Sequence, residues 1–152
     1  ISILITCISA IFGGTAVAAE SYDKQKVVYH INYDDPKAQA GALRNIQNHI
    51  NAVGAANLDL KVVMHGDGVS LVLPPDAVKG TKMKEGNADQ EMEARISGLK
   101  DQGVKFEICA NTLKGRKVEL GDLYDATDDD VVPSGVAELA HLQSMGYTYI
   151  KP

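Results

Sequence analysis

The sequence predicts one α/β domain of the doubly wound type, with a five-stranded and mainly parallel sheet. Five short segments rich in β-branched and aromatic residues alternate with longer segments whose apolar residues recur at spacings of three and four. Near-continuous apolar strands between amphipathic helices are typical of parallel sheets that are covered on both faces. The length of 152 residues, with 45% hydrophobic and 23% charged residues, fits a single compact domain.

The strands and helices are predicted in order along the chain. Strands are expected at residues 27–33, 60–65, 104–109, 131–132 and 147–150. The apolar faces of three helices are Leu43, Ile46, Ile50 and Val53, then Met92, Ile96 and Leu99, then Val136, Leu139, Leu142 and Met145. Pro36 suits the first turn of the first helix. Helix ends are expected just before Gly54, Gly103 and Gly146. The pattern leaves the order of the strands in the sheet open.

The N-terminal segment has the features of an export signal. Residues 1–19 carry no charge and end in small residues before Glu20, as signal peptidase requires. We interpret 1–19 as a secretory signal peptide whose n-region is missing, and 20–152 as the mature domain. If the segment is not cleaved, it is long enough to anchor the chain in a membrane, since about 20 apolar residues span a bilayer. Because Cys7 lies in this segment, cleavage leaves Cys109 as the one cysteine, which cannot form an internal disulfide.

Charge and residue spacing argue against several classes of partner. A net charge of -5 and a pI of 5.3 disfavour nucleic acids and, once the signal is removed, membrane surfaces, because both require a positive field. The four histidines and one thiol lack the paired spacing of a zinc site, so no metal is expected. Gly66-Asp67-Gly68 lacks the third glycine of a dinucleotide fingerprint, so no such cofactor is expected.

The connection from Gly66 to Gly86 is long and has little periodicity. Unstructured loops of this length in small domains are usually functional or lie at an interface. The segment also holds four closely spaced apolar residues, which would be costly in water: Val69, Leu71, Val72 and Leu73. They are expected either to fold on the core or to contact a neighbouring subunit, and we favour the subunit contact.

Candidate site residues follow the predicted strands. Ligands of such sheets bind at the carboxyl ends of the strands, where loops lead into helix N-termini. The residues expected at this edge are Asn32, His65, Cys109, Asn111, Thr112, Ser134 and Gly135. Ser134 is also placed as a helix N-cap.

Cys109 is the most informative of these residues. If Asn111 or Thr112 caps the helix that follows, the sulfur lies beside unpaired amides and the positive end of a helix dipole, which favour the thiolate. Lys114 and Arg116 would add positive charge if the turn brings them near. The alternative is a packed cysteine, since unpaired cysteines are among the most buried residues.

Two histidines complete the sequence-based hypotheses. His65 ends the second strand and is a candidate base or hydrogen-bond donor beside the thiol, although a structural role is the alternative. His30 lies within the first strand, where we expect a buried and hydrogen-bonded side chain.

Four motifs carry a family resemblance: YHINYDD, VVMHGDG, FEICANTL and VVPSGVAELAHLQSMGYTYIKP. Together they resemble the DsrE/DsrF-like proteins, in particular their small exported, periplasmic members, over residues 26–152. The resemblance implies a flavodoxin-like parallel sheet and assembly into trimers or hexamers. It also matches Cys109 with the cysteine that carries sulfur as a persulfide between partner proteins in characterised sulfur relay members.

Three hypotheses for function follow. The leading one is a thiol-based sulfur carrier, in which Cys109 accepts sulfane sulfur, the amides of Asn111 and Thr112 stabilise the anion, and His65 assists. This chemistry needs no cofactor, and its partners are a sulfur donor and a sulfur acceptor. The second hypothesis is a non-catalytic oligomeric module that binds a small ligand while Cys109 only packs. The third is a redox sensor that forms a disulfide between subunits.

Overall fold

The computed structural model describes residues 22–152, so the predicted signal peptide at 1–19 lies outside the described residues. The strands are β1 (Gln25–Ile31), β2 (Leu58–Met64), β3 (Lys105–Cys109), β4 (Val131–Val132) and β5 (Thr148–Ile150). They form one sheet in the order β4-β3-β2-β1-β5, and every pairing is parallel. The predicted five-stranded parallel α/β fold is therefore confirmed.

Four α-helices connect the strands: α1 (Pro36–Val53), α2 (Gln90–Asp101), α3 (Ala110–Arg116) and α4 (Gly135–Ser144). Pro36 occupies the first turn of α1, as predicted, because its missing N–H costs nothing there. The carboxylates of Asp35 and Asp89 cap α1 and α2 by accepting hydrogen bonds from backbone amides in the first turn. Within residues 22–152, no helix is both long enough and apolar enough to cross a membrane.

The two faces of the sheet differ in how they are covered. The larger core lies on the side of α1 and α2, where their apolar residues pack on alternate residues of β1, β2 and β3. The opposite side holds a smaller cluster under α4, made of Val28, Val63, Leu139, Leu142 and Tyr147. This division follows from right-handed crossovers, because the chain steps from β1 to β4 in one direction and returns to β5 in the other.

The predicted apolar faces of α1 and α2 are buried, but only two of the four residues predicted for the apolar face of α4 are buried. Leu139 and Leu142 are buried, whereas Val136 and Met145 are 64% and 50% exposed. Each residue turns the helix by about 100°, so residues spaced by three drift around its surface. Over the ten residues from Val136 to Met145 this drift turns the two ends away from the sheet.

The expected subunit contact of the segment after β2 is wrong. Residues Gly66–Val72 form a 3-10 helix, and Val69, Leu71, Val72 and Leu73 are all buried in the larger core of the same chain. Gly68 permits this turn, since a Cβ there would lie 2.0 Å from the Ile31 carbonyl oxygen.

Buried polar side chains hold this segment in place. The Gln39 amide donates to Ser70 Oγ at 2.9 Å and to the Tyr33 carbonyl at 2.7 Å. The Asn87 amide donates to Gln39 Oε1 at 2.9 Å and to the Asp34 carbonyl at 2.7 Å. These bonds satisfy polar groups that would be costly to bury alone, so the segment folds as part of the domain core.

Candidate functional site

The topology creates a switch point between β3 and β4. These strands are neighbours, but α3 leaves β3 toward the larger core, where Leu113 packs, while α4 leaves β4 toward the opposite face. Ligands of open parallel sheets bind at such a reversal, outside the carboxyl ends of the strands. Cys109 is the last residue of β3 and lies opposite Val132 of β4. It therefore lies where the N-termini of α3 and α4 converge.

The sulfur of Cys109 is surrounded by hydrogen-bond donors. The backbone N–H groups of Asn111, Thr112 and Gly135 and the Thr112 hydroxyl lie close enough to lower the pKa of its thiol, but the sulfur accepts no capping hydrogen bond from the first turn of α3. The prediction that Asn111 or Thr112 is the N-cap of α3 is wrong. The helix begins at Ala110, so Cys109 is the N-cap residue. Asn111 and Thr112 are therefore inside the first turn of the helix, where amides lack intrahelical partners.

Two effects act in opposite directions on the Cys109 pKa. Burial of the thiol, which is only 5% exposed, raises the pKa, whereas the donors from Thr112, Gly135 and Asn111 lower it. The donors prevail, and the Cys109 pKa lies below its ordinary value. The site therefore stabilises the thiolate, the nucleophilic form, relative to an ordinary cysteine.

Thr112 links this sulfur to the loop after β2. Its Oγ1 accepts a hydrogen bond from the Gly66 N–H at 2.8 Å, and the same hydroxyl lowers the pKa of Cys109. The loop thus fixes the position of the hydroxyl beside the sulfur.

Gly135 allows α4 to approach the site closely. A Cβ at this position would lie 2.8 Å from His65 Cβ and 3.3 Å from Cys109 Cβ. The first distance is shorter than real Cβ contacts, so any side chain here would push α4 away from the sheet. The missing side chain therefore brings the α4 N-terminus, His65 and Cys109 together.

His65 lies beside Cys109 but is hydrogen-bonded elsewhere. The pairing of Met64 with Ile108 puts the next residues, His65 and Cys109, on neighbouring strands and on the same face. His65 Nε2 lies 2.7 Å from Nε2 of His30, which is half-buried and hydrogen-bonded as expected. Burial and the charge of Lys151 lower the His65 pKa, so the ring is neutral at neutral pH.

The other predicted residues lie at the same edge in supporting positions. Asn32 Oδ1 accepts a hydrogen bond from the Lys151 ammonium, whose nitrogen lies 4.8 Å from the centre of the Tyr33 ring. Ser134 caps α4 as predicted, because its Oγ accepts from the Ala137 N–H at 3.3 Å. Any role of these residues in substrate binding stays a prediction.

The basic residues of α3, Lys114 and Arg116, are not among the groups that lower the Cys109 pKa. Arg116 forms an ion pair with Asp67 at 2.8 Å, and Lys114 is exposed. Lys151 is instead the cation beside the histidines, because it lowers the pKa of both His30 and His65. In the described part of the chain, no three His, Cys, Asp or Glu side chains converge in a way that could hold a metal ion.

The sequence-based reasoning missed Tyr149, Lys151 and the pairing of the two histidines. His30 and His65 meet because β1 and β2 are neighbours, and Tyr149 joins them because β5 lies on the other side of β1. The sequence offered one signal, which is that His30 and Tyr149 both lie within predicted strands. Side chains of a strand alternate between the two faces of the sheet, so residues of neighbouring strands can meet on one face.

The fold and the site of the described residues define an all-parallel α/β domain that holds Cys109 between two helix N-termini at the switch point of its sheet. The sequence profile of the DsrE/DsrF-like family matches residues 26–152, which is nearly the whole described chain. The chain therefore belongs to the DsrE/DsrF-like family, which is generally related to sulfur relay.

The solved structures that resemble this chain include two that the match covers over their full lengths. The protein MTH1491 of unknown function from Methanobacterium thermoautotrophicum is 29% identical, with a TM-score of 0.69, and the match covers 85% of this chain and 100% of that chain. The ychN protein from E. coli is 20% identical, with a TM-score of 0.56 and coverage of 86% and 100%. At that identity the second likeness concerns the fold alone. No curated protein matches the chain.

Proposed function

We propose that this protein is a thiol-based sulfur carrier that holds sulfane sulfur on Cys109 as a persulfide. The observation that carries the proposal is the set of donors around the sulfur, three backbone amides and one hydroxyl, supplied by the beginnings of α3 and α4. Donors fixed at this position stabilise negative charge on sulfur without rearrangement. Membership of a family related to sulfur relay supports the same reading.

The proposed reaction is a transfer of neutral sulfur. The Cys109 thiolate attacks the outer sulfur of a persulfide, and the donor's S–S bond breaks with its electron pair on the departing thiolate. The new S–S bond leaves the transferred sulfur on Cys109, from which an acceptor thiolate removes it by the same chemistry. No net oxidation or reduction occurs, so the reaction requires no redox cofactor.

The site residues have distinct roles in this proposal. Asn111, Thr112 and Gly135 hold the sulfur anion, and His65 exchanges a proton with the sulfur groups that react beside it. Asn32 and Ser134 shape the edge of the site through their bonds to Lys151 and to the first turn of α4. Assembly into trimers or hexamers, export to the periplasm, and dedicated donor and acceptor proteins belong to the same proposal.

One observation favours the second hypothesis, a binding module in which Cys109 only packs. The side chain is 5% exposed, so a donor must reach a sulfur that is nearly covered. The same burial disfavours a disulfide between subunits, because the sulfur would have to leave its donors to meet a second chain.

Intact-mass measurement distinguishes these functions. The purified protein and its Cys109→Ser variant are incubated with a polysulfide or with thiosulfate, and their masses are recorded before and after reduction. A sulfur carrier gains one or more sulfur masses on the native protein alone, and reductant removes them. Native protein that stays unmodified, under conditions that load a known persulfide carrier, would support the binding module.

A further inference from the structure

Three side chains on the same face as Cys109 form a hydrogen-bonded line that reaches solvent. Tyr149 Oη lies 2.6 Å from His30 Nδ1, and His30 Nε2 lies 2.7 Å from His65 Nε2. The two imidazole centres are 4.7 Å apart, with 25° between the ring planes. Tyr149 is 40% exposed, so the line runs from solvent to the residue beside Cys109.

The charge state of the two histidines links their tautomers. Burial, Lys151 and His65 lower the His30 pKa to about 4, and burial and Lys151 lower that of His65. Both rings are therefore neutral at neutral pH, and each carries one N–H. A hydrogen bond between two Nε2 atoms requires that one ring has its proton on Nε2 and the other on Nδ1.

The charged groups around the pair leave this arrangement undisturbed. Lys151 follows β5 and favours the neutral rings, while Cys109 at the end of β3 is held by its own donors. The α4 carboxylate, Glu138, instead faces Glu107 and Tyr147, as its effect on their pKa values indicates.

We propose that Tyr149 and His30 are positioning residues that deliver protons from solvent to His65, which in turn protonates the group leaving the sulfur donor at Cys109. This inference rests on the sulfur transfer proposed above. Gly135 packs against both His65 and Cys109, so the two side chains lie at one reaction site. His65 Nδ1 has no hydrogen-bond partner among residues 22–152, which leaves it open to a substrate.

Each sulfur transfer moves one proton across every hydrogen bond of the line, so the protons balance. Before reaction, Tyr149 donates to His30 Nδ1, His30 Nε2–H donates to His65 Nε2, and His65 carries its proton on Nδ1. The Cys109 thiolate takes the outer sulfur of R–S–SH, and the departing RS⁻ receives the Nδ1 proton of His65 to become RSH. Each proton then moves one position along the line, and Tyr149 receives one from water. Both rings stay neutral throughout.

The first test reads the tautomers by ¹⁵N NMR at pH 7 and needs no sulfur donor. We expect His30 to carry its proton on Nε2 and His65 to carry its proton on Nδ1, and the reverse arrangement would overturn the proposal. Two rings that both carry their proton on Nε2 would overturn the proposal, since no hydrogen bond would then join them.

The second test measures the rate at which a small persulfide donor loads Cys109. His30→Gln and Tyr149→Phe should each slow loading at least about tenfold at pH 7 and lower the solvent isotope effect in D₂O, with the final amount of bound sulfur unchanged. The matched controls are His141→Gln and Tyr22→Phe, two exposed residues outside the line, which should load as wild type does.

The outcomes separate this inference from the proposed function. Wild-type loading with unchanged rates and isotope effects in His30→Gln and Tyr149→Phe would overturn the relay and leave the carrier function in place. Wild-type protein that fails to load at all would overturn both. Because Tyr149→Phe removes a single oxygen, it keeps the test valid if His30→Gln folds poorly.

Discussion

At the scale of single residues, the chemistry of Cys109 is decided by two opposing effects on one atom. Burial in a low-dielectric site disfavours the thiolate, whereas donated hydrogen bonds favour it. The donors prevail because they come from two helix N-termini whose amides have no partners of their own. Burial alone therefore does not show that a cysteine is unreactive, because nearby donors can still stabilise its thiolate.

Thr112→Val tests the contribution of the one side-chain donor. The variant keeps the shape but removes the hydroxyl that lowers the Cys109 pKa and accepts from the Gly66 N–H. We expect the Cys109 pKa to rise, its alkylation near neutral pH to slow, and the free energy of unfolding to fall by about 1–3 kcal/mol, because a polar group is left unpaired.

Thr148→Val is the matched control for this variant, since Thr148 is exposed on β5. It should leave both alkylation and stability nearly unchanged. Equal alkylation rates in Thr112→Val and wild type would show that the hydroxyl does not activate the sulfur.

The same scale explains which site residues the sequence predicts. Cys109, Asn111, Thr112 and Gly135 follow strands that are recognisable from composition, so the carboxyl-edge rule finds them. Tyr149 and the pairing of the histidines depend on strand order, which a single sequence does not contain.

At the scale of elements, the site depends on how closely α4 approaches the sheet. Among the helices of residues 22–152, α4 is the one that packs on this face of the sheet, and it begins above His65 and Cys109. Gly135 therefore sets the position of a whole element.

Gly135→Ala is expected to displace α4 and to weaken the effect of its N–H on the Cys109 pKa. The added Cβ meets His65 Cβ at 2.8 Å, and overpacking of this kind typically costs about 1–3 kcal/mol. The free energy of unfolding, measured in urea, should fall, and the alkylation of Cys109 should slow. Gly98→Ala is the control, since Gly98 lies within α2 with nothing within 4 Å of an added Cβ, and it should stabilise the protein by about 0.5–1 kcal/mol.

The segment after β2 is the element for which the sequence misleads. Its closely spaced apolar residues are typical of an interface, but Gln39 and Asn87, distant in sequence, bond Ser70 and fold the segment into the core. Such a network has no local signal.

Leu71→Ala distinguishes a core position from a subunit contact. Leu71 is fully buried within one chain, so its truncation should cost about 2–5 kcal/mol at every protein concentration. Urea unfolding across a wide concentration range provides the measurement, with exposed Val136→Ala as a control that should stay within about 0.5 kcal/mol. A destabilisation that disappears when the protein is diluted would instead show that Leu71 lies at a contact between subunits.

At the scale of the whole molecule, the histidine pair links stability to pH. The folded pKa of His30 is about 4, below its unfolded value of 6.5, so the unfolded state gains protons first as the pH falls. The contribution of His30 is therefore fully present above pH 6.5 and is lost as the pH falls toward 4.

Urea unfolding of wild type and His30→Gln at pH 7 and pH 4.5 measures this contribution. Wild type should lose more stability between the two pH values than the variant does, because only wild type has this imidazole to protonate. Parallel losses in the two proteins would contradict the low pKa of His30.

The central claim, that the two helix N-termini hold Cys109 as a reactive thiolate, is tested most directly by the pH dependence of its alkylation. The rate with iodoacetamide is followed on the Cys109 peptide in folded protein and in the same protein unfolded in urea. The midpoint, unlike the maximal rate, is independent of how accessible the sulfur is. We predict a midpoint in folded protein clearly below that of the unfolded chain. A midpoint at or above the unfolded value would mean that burial outweighs the donors, and it would contradict the account.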